Sequence, residues 1–408
     1  MSSSHPDRAM KVLHMTPAFA PAHAYGGAVA AIHDLCVELD RAGCFIKVLT
    51  TNGNGDKQVL EIETDHEVKA ASHLPVRYCR RIRQQSVSPS LLRHIPDYVR
   101  WADVVHLHGV YSFPTIPTLA ACRIFGRPLV WTPHGVLQRW EGSTRITLKA
   151  GWEWICRLTA PPTMVLHVTS EQEARASRQR FPGTEVVAIP FGHHVPEPIC
   201  HEEDRQTFRL LFLGRLHPKK GIENLLEACA SLKPLLDRPW SLTIAGDGDP
   251  LYVSSLRARS RSLGLGRQVT MVGEVLGEKK NALFSQADVV IVPSYTENFS
   301  VVVAEALAHA IPVIASMGTP WQRVEEVGCG LWVDNRPSSL SSAIQRMSCS
   351  PLREMGQRGR EWLKRQFRWD TAAGAIVKCY EHAIAISVNE RSPLGYGRPS
   401  SPGLMQKD

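Results

Sequence analysis

Short apolar runs rich in β-branched residues alternate with amphipathic stretches from one end of the chain to the other. In the first half the runs MKVLHMT, CFIKVLTT, DVVHLHG, RPLVWTP, TMVLHVTS and EVVAIP predict strands. They are short and apolar on both alternating faces, as strands of a parallel sheet covered by helices must be. The segment APAHAYGGAVAAIHDLCVELDRAG passes from a Pro/Gly turn into a long helix that begins near Gly26 and ends before Gly43, with glycine punctuating its end. This is one complete strand–helix–strand opening. After Pro190 the segment FGHHVPEPICHEEDRQ is polar, carries prolines and has neither periodicity, which marks an interdomain linker. The alternation then restarts, with strands predicted at FRLLFLG, WSLTIAGD, QVTMVG, ADVVIVPS, IPVIAS and CGLWVD. Three helical segments follow Asp334, the last from Trp369 to about residue 387, and the Pro/Gly/Ser-rich end SPLGYGRPSSPGLMQKD is predicted to be disordered.

The pattern therefore predicts an α/β protein of two doubly wound, Rossmann-like parallel-sheet domains facing across a cleft. Residues 1–190 form the first, 191–206 the linker, 207–368 the second, with the helix of about 369–387 after it and a tail at 388–408. Ligands of such sheets bind outside the carboxyl ends of the strands, so candidate residues are sought just after strands.

A length of 408 residues suits two cores better than one. The 43% hydrophobic and 21% charged content is that of a folded globular protein. No apolar run approaches the roughly 18 residues of a membrane span, and MSSSHPDRAM lacks the apolar stretch of a signal peptide, so a cytoplasmic location is expected. The ten cysteines are scattered with no CxxC pair, which argues against a zinc or disulfide framework. A net charge of +8 points to anionic partners: nucleic acid, a membrane surface or phosphorylated substrates.

The most informative segment is PSYTENFSVVVAEALAHAIPVIAS, where a strand ends at Ser294, a loop holds Glu297 and a helix begins around Phe299. Glu305 lies on that largely apolar helix and needs a partner, because an unpaired buried charge is costly. Two carboxylates eight positions apart lie roughly 12 Å apart along a helix axis, enough to reach from a sugar to a ribose. Between them Asn298, Phe299, Ser300 and Val301 open the helix, whose free N–H groups suit a pyrophosphate. The alternative is a purely structural pair, one at a helix start and one in a core.

After the first strand of the second half, FLGRLHPKKGIENLLEA places Arg215 and Lys220 in a loop before a helix, where two cations can neutralise a diphosphate or simply be solvated. Gly26 and Gly27 allow a close backbone approach to a ligand, although their spacing is not that of a dinucleotide fingerprint. His134 in WTPHGVLQRW follows a strand within a Pro/Gly turn and can bond a sugar hydroxyl or stabilise developing charge. His106 and His108 share one face of their strand and read as packing or acceptor-side residues. Asp247 and Asp249 flank Gly248 where a strand turns into a helix, so capping is preferred to a metal-binding DxD, with Gly248 open to a nucleotide. Arg77, Arg80, Arg81 and Arg83 crowd a predicted loop, with Arg93 and Arg100 on the next helix. They form either a solvated face or a membrane or acceptor patch, to which Trp152 and Trp154 can add an apolar edge.

Together, YGGAV, HLHG, TPHG, FLGRLHPKKG, AGDGDP and the E-x7-E stretch ENFSVVVAEA resemble the retaining glycosyltransferases of family 4, also called group 1, over nearly the whole chain. The resemblance implies the GT-B fold and hexosyl transfer from a UDP- or GDP-sugar to a saccharide or lipid-linked acceptor. It implies that Arg215 and Lys220 grip the diphosphate, Glu297 meets donor-sugar hydroxyls, Glu305 holds the ribose and His134 is the cleft histidine. Gly26, Gly27 and Gly248 border the donor, no metal or other cofactor is needed, nucleic acid is not a partner, and the last helix crosses back to the first domain. Ser300 and Ala310 stand where many members have glycine. TPHG and GTPWQRVEEVGCG look most like members that build bacterial exopolysaccharide or O-antigen on lipid-linked acceptors at the membrane. A sugar-nucleotide epimerase and a non-catalytic nucleotide-sugar-binding protein are the rival readings.

Overall fold

The computed structural model describes residues 9–55, 58–69, 73–197, 206–232, 236 and 238–391. Two large sheets are present, with a small antiparallel pair, Gly53–Asn54 and Gln58–Val59, beside the first. The first runs, edge to edge, through the strands Glu185–Ala188, Met164–Val168, Leu129–Thr132, Val104–His108, Lys11–Met15, Phe45–Thr51, Pro75–Cys79 and Glu67–Lys69. All its pairs are parallel except the last, where Glu67–Lys69 returns antiparallel along Pro75–Cys79. The second is fully parallel: Val269–Gly273, Trp240–Ala245, Phe208–Leu213, Val289–Val292, Val313–Ser316 and Gly330–Val333. The twelve strands read from the apolar runs are all there.

Four described strands were not anticipated: the two-residue pair Gly53–Asn54 and Gln58–Val59, the edge strand Glu67–Lys69, and Pro75–Cys79. Pro75–Cys79 begins with proline, which a first strand position tolerates, and carries Arg77, so that it reads as a loop. In the structure Arg77 lies on this strand and not in a loop. Its Nε donates to the Tyr98 hydroxyl (2.9 Å) and its guanidinium also bonds the Asp65 carbonyl. Arg81 bonds the carbonyls of Gly55 and Gln58, so two of the four clustered arginines fasten their own segment. Arg93 and Arg100 do lie on a helix, Pro89–Trp101.

Helices cover both sheets. The helix Gly27–Arg41 follows the first strand, with Val29, Ile32, Leu35, Cys36 and Leu39 turned inward at helical spacing. The last helix, Trp369–Arg391, crosses to the first domain, where Ala373, Ile376, Tyr380 and Ala383 share one core with Val12, Ile32, Leu35 and Val48. It extends through residue 391, beyond the expected end at about 387; the remainder of the expected tail, 392–408, and linker residues 198–205 lie outside the described residues. No described helix is long and apolar enough to cross a membrane. The cysteines among the described residues are buried free thiols except the exposed Cys349.

In each sheet the strand order reverses beside the first strand of its domain: between Lys11–Met15 and Val104–His108, and between Phe208–Leu213 and Val289–Val292. Loops leaving neighbouring strands in opposite directions open a crevice there. That is where the chemistry-bearing residues collect.

Candidate active site

In the second domain the loop after Phe208–Leu213 carries Arg215, then a 3-10 turn at Pro218–Lys220, and the loop after the adjacent strand Val289–Val292 carries Glu297. Gly221 makes the approach possible: its φ is +66°, and a Cβ there would meet the Pro293 carbonyl oxygen at 2.2 Å. The Glu297 loop is tied on both sides, by Tyr295 N–H to Lys219 O (2.9 Å) and by Glu297 N–H to Gly318 O (2.8 Å). Lys220 Nζ is ion-paired with Glu297 Oε1, and the Ser294 hydroxyl donates to the same oxygen at 2.7 Å. No hydrogen bond from a described residue reaches Glu297 Oε2. Burial alone would raise this carboxyl, but Lys220, Lys219 and the Ser294 hydroxyl outweigh it and hold it below the usual carboxylate range.

Lys219 was not singled out in the sequence. It faces Glu297 of its own domain and Glu173 of the other, and burial lowers its pKa despite both carboxylates. Arg215 is exposed at the mouth of the same loop. Two lysines thus face one carboxylate at a strand switch point, with Arg215 close enough to act on Lys219, an arrangement with positive charge to spare for an anion.

The helix after Glu297 begins at Val301, two residues later than expected, and ends at Ala308. Ser300 caps it with φ +63°, and Ala310 beyond its end has φ +57°. Both positions where glycine is frequent in the resembling family therefore adopt the left-handed conformation that glycine takes without steric cost. Glu305 is mostly buried, with 16% of its side chain exposed, and ion-paired with Lys280, a second cation the sequence reading missed. Burial raises its pKa, and Lys280 only partly offsets this.

The first domain meets this loop. Gly27 lies against Val301, whose Cγ2 would be 3.1 Å from a Cβ at that position, so the glycine loop reaches the start of the Glu305 helix. Gly26 has φ +73° and open space around it. His134 (φ +55°) and Gly135 (φ +74°) form a left-handed turn, and a Cβ on Gly135 would meet Asn298 at 2.6 Å. The Gly135 N–H bonds buried Glu173, which also accepts from Thr169 N–H and Oγ1, both at 2.9 Å. Phe191 stacks on His134 and meets Phe299 edge-on. Gly248 touches the Leu216 backbone, and Asp249 caps the helix Pro250–Ser262 by accepting from Leu251 N–H (3.0 Å) and Tyr252 N–H (3.2 Å). That is the capping role preferred for this triplet.

His134 ends a buried chain of hydrogen bonds whose direction is set at its far end. His167 Nε2 lies 2.9 Å from the Ile189 carbonyl, which can only accept, so Nε2 carries the proton and Nδ1 accepts from the Thr132 hydroxyl at 2.7 Å. The Thr132 oxygen then accepts from His106 Nε2 (2.7 Å), and His106 Nδ1 from the Tyr380 hydroxyl (2.6 Å). The Tyr380 oxygen faces His14 Nε2 at 3.5 Å; a bare nitrogen there would oppose two lone pairs, so His14 is protonated at Nε2. His14 Nδ1 accepts from His108 Nε2 (2.9 Å), and His108 Nδ1 from His134 Nε2 (3.0 Å). His134 is left with a lone pair on Nδ1, shielded from solvent and without a protein partner. Burial keeps the chain neutral, lowering the pKa of His14 and His134 to about 3 and of His167 to about 4. Nitrogens of His14, His106 and His108 come close enough together to hold a metal ion. The hydrogen bonds already use them, which accounts for the cluster without one.

The description "Glycosyl transferases group 1" matches residues 200–362 and "Glycosyltransferase Family 4" matches 25–194, so the two together take in both domains. The chain belongs to the group 1/family 4 glycosyltransferases. Among relatives of this glycosyltransferase, a GDP-mannose-dependent alpha-(1-6)-phosphatidylinositol monomannoside mannosyltransferase of Mycobacterium tuberculosis is 31% identical over 52% of this chain and 60% of its own length. A GDP-mannose:cellobiosyl-diphosphopolyprenol alpha-mannosyltransferase of Xanthomonas oryzae is 24% identical over 92% of this chain and 98% of its own. Of the solved structures, sucrose-phosphate synthase from Thermosynechococcus elongatus superposes with a TM-score of 0.73 at 22% identity, covering 92% of this chain and all of that one, which shows the shared GT-B fold. The expected fold and family are thus borne out.

Proposed function

We propose that this glycosyltransferase moves a hexosyl group from a nucleotide sugar, with GDP-mannose the first donor to test, to a lipid-linked saccharide in cell-surface polysaccharide synthesis, with retention at C1. The Lys220–Glu297–Ser294 cluster at the second domain's switch point, facing Gly27 and His134 across the cleft, carries this reading. Two relatives named for GDP-mannose, one with a diphosphopolyprenol acceptor, support the choice of substrates.

Arg215, Lys219 and Lys220 take the diphosphate, and one N–H of the Lys220 ammonium stays on Glu297 while the others face phosphate oxygens. Glu297 Oε2 accepts from donor-sugar hydroxyls, Glu305 from the ribose, and the N–H groups at Ser300 and Val301 face the diphosphate. His134 Nδ1, shielded in this conformation, accepts from a sugar hydroxyl when the cleft opens to admit the donor. In a front-face transfer the acceptor oxygen forms its bond to C1 as the bond to the phosphate oxygen breaks, and that oxygen takes the acceptor's proton. Cations aimed at the departing phosphate strengthen their hold as its charge grows, which lowers the barrier. We assign the neutralisation that a divalent cation can provide to these side chains, so transfer should persist in EDTA. A reducing, cytoplasmic setting suits the free thiols.

Replacing Lys220 or Glu297 by Ala should lower transfer by about 100-fold or more with folding intact. Full transfer by both folded variants would overturn the site. Conversion of the nucleotide sugar to an epimer without any acceptor would favour the epimerase.

A further inference from the structure

The helix Ile146–Thr159 is turned the wrong way round for a surface helix. At about 100° per residue, Leu148, Gly151, Trp154, Ile155 and Leu158 fall on one arc of about 120°. That arc faces solvent: Leu148 is 67% exposed, Trp154 56%, Ile155 39% and Leu158 54%. The face turned to the protein carries Glu153, buried and ion-paired with Arg139 at 2.6 Å, together with Cys156. Ile124, 74% exposed, ends the neighbouring helix, and Arg123 beside it donates to the Leu158 carbonyl (2.8 Å), so Ile124 extends the same patch. Five exposed large apolar side chains gathered on two neighbouring helices mark an interaction site.

Charge decides what covers it. Glu153 is the helix's sole carboxylate, and it is buried under Arg139, while Arg145 and Arg157 are exposed at the two ends of the helix. Apolar side chains with tryptophan among them, flanked by arginines, match the boundary between acyl chains and anionic headgroups. Location agrees. The loop leading into the helix carries His134, and Trp140 in that loop stacks on Tyr295 of the second domain with 5.1 Å between ring centres, so the helix starts at the rim of the cleft.

We propose that the helix Ile146–Thr159, with Ile124, lies in the plane of an anionic lipid bilayer and sets the cleft mouth at the membrane surface. Of the arginines at residues 77–83, Arg77 and Arg81 are held by hydrogen bonds to neighbouring residues, which leaves Arg80 and Arg83 to be compared with the helix.

The full chain is sedimented with vesicles of phosphatidylcholine alone and with phosphatidylglycerol added. Binding to the anionic vesicles is expected, weaker at high salt, and should fall at least tenfold in Leu148→Glu/Leu158→Glu while Arg80→Ala/Arg83→Ala binds like the parent. Quenching by brominated lipid gives a second reading on the unaltered surface: the quenchable emission should drop in Trp154→Phe. Absence of binding by the parent chain, equal binding by the leucine variant, or a dimer in solution that the same variant dissociates would each overturn the proposal. The last would make this face an interface between copies. Neither donor nor acceptor enters the measurement, so its failure leaves the transferase reading untouched.

Discussion

Lys220 and Glu297 lie 77 positions apart in sequence and share a hydrogen bond because their strands are neighbours. Each was legible, since a charged residue just after a strand of a parallel sheet is where ligands bind. Lys219, Lys280 and Glu173 were not, because each acquires meaning from a partner on a distant element: Glu297 and Glu173 for Lys219, Glu305 for Lys280, and the Gly135 backbone for Glu173. Tyr380 is the clearest case, an ordinary core aromatic in sequence and the link between His106 and His14 in the fold. Tyr380→Phe keeps the ring but removes the hydroxyl that sets the direction of the chain beyond it. His134 should then divide between its two tautomers, seen by nitrogen NMR as partial protonation of Nδ1. kcat/KM should fall by about tenfold, the worth of one hydrogen bond. In a His134→Asn background the same change should cost nothing further, because the amide presents its acceptor without help from the chain. An Nδ1 signal unchanged in Tyr380→Phe would refute the assigned direction.

At the scale of the element, the helix Val301–Ala308 lies between two residues held with positive φ, Ser300 and Ala310. A left-handed conformation costs a residue with a Cβ about 1 to 2 kcal/mol, whereas glycine gives back part of this through a more disordered unfolded chain. Ala310→Gly should therefore stabilise the protein by about 0.5 to 1 kcal/mol, measured as a higher urea midpoint with unchanged slope. A lower midpoint would mean that the alanine methyl contributes packing that outweighs the strain. That these two positions are unusual was visible in sequence; that both are left-handed was not. The same distinction separates strands found from strands missed. Buried parallel strands announce themselves as apolar runs, but Pro75–Cys79, beside the short edge strand Glu67–Lys69, is only half-buried at Pro75 and Arg77 and carries arginine.

For the whole molecule, the buried histidines make stability depend on pH. His14 and His134 titrate near 3 and His167 and His193 near 4 in the fold, all lowered first of all by burial, against about 6.5 when unfolded. Between these values the unfolded chain binds more protons than the native one, so stability is complete above pH 6.5 and declines as pH falls through that window. Each such histidine costs about 1.4 kcal/mol per pH unit below 6.5, and urea unfolding at pH 7.5 and 5.5 should differ by several times the value for one. Equal stability at the two pH values would show that these histidines are already charged in the fold. The order of apolar runs, the linker and the loops after strands determined by themselves that this is an α/β protein of two parallel-sheet domains and which loops border its crevice, because burial on both faces and chain reversal at strand ends are properties of local sequence. Tertiary structure alone decided which charges neutralise one another, which nitrogen of His134 is bare, and that the helix Ile146–Thr159 turns its apolar face outward. Those outcomes depend on what lies opposite in space, and hydrophobic periodicity shows that a helix has an apolar face without showing which way it points.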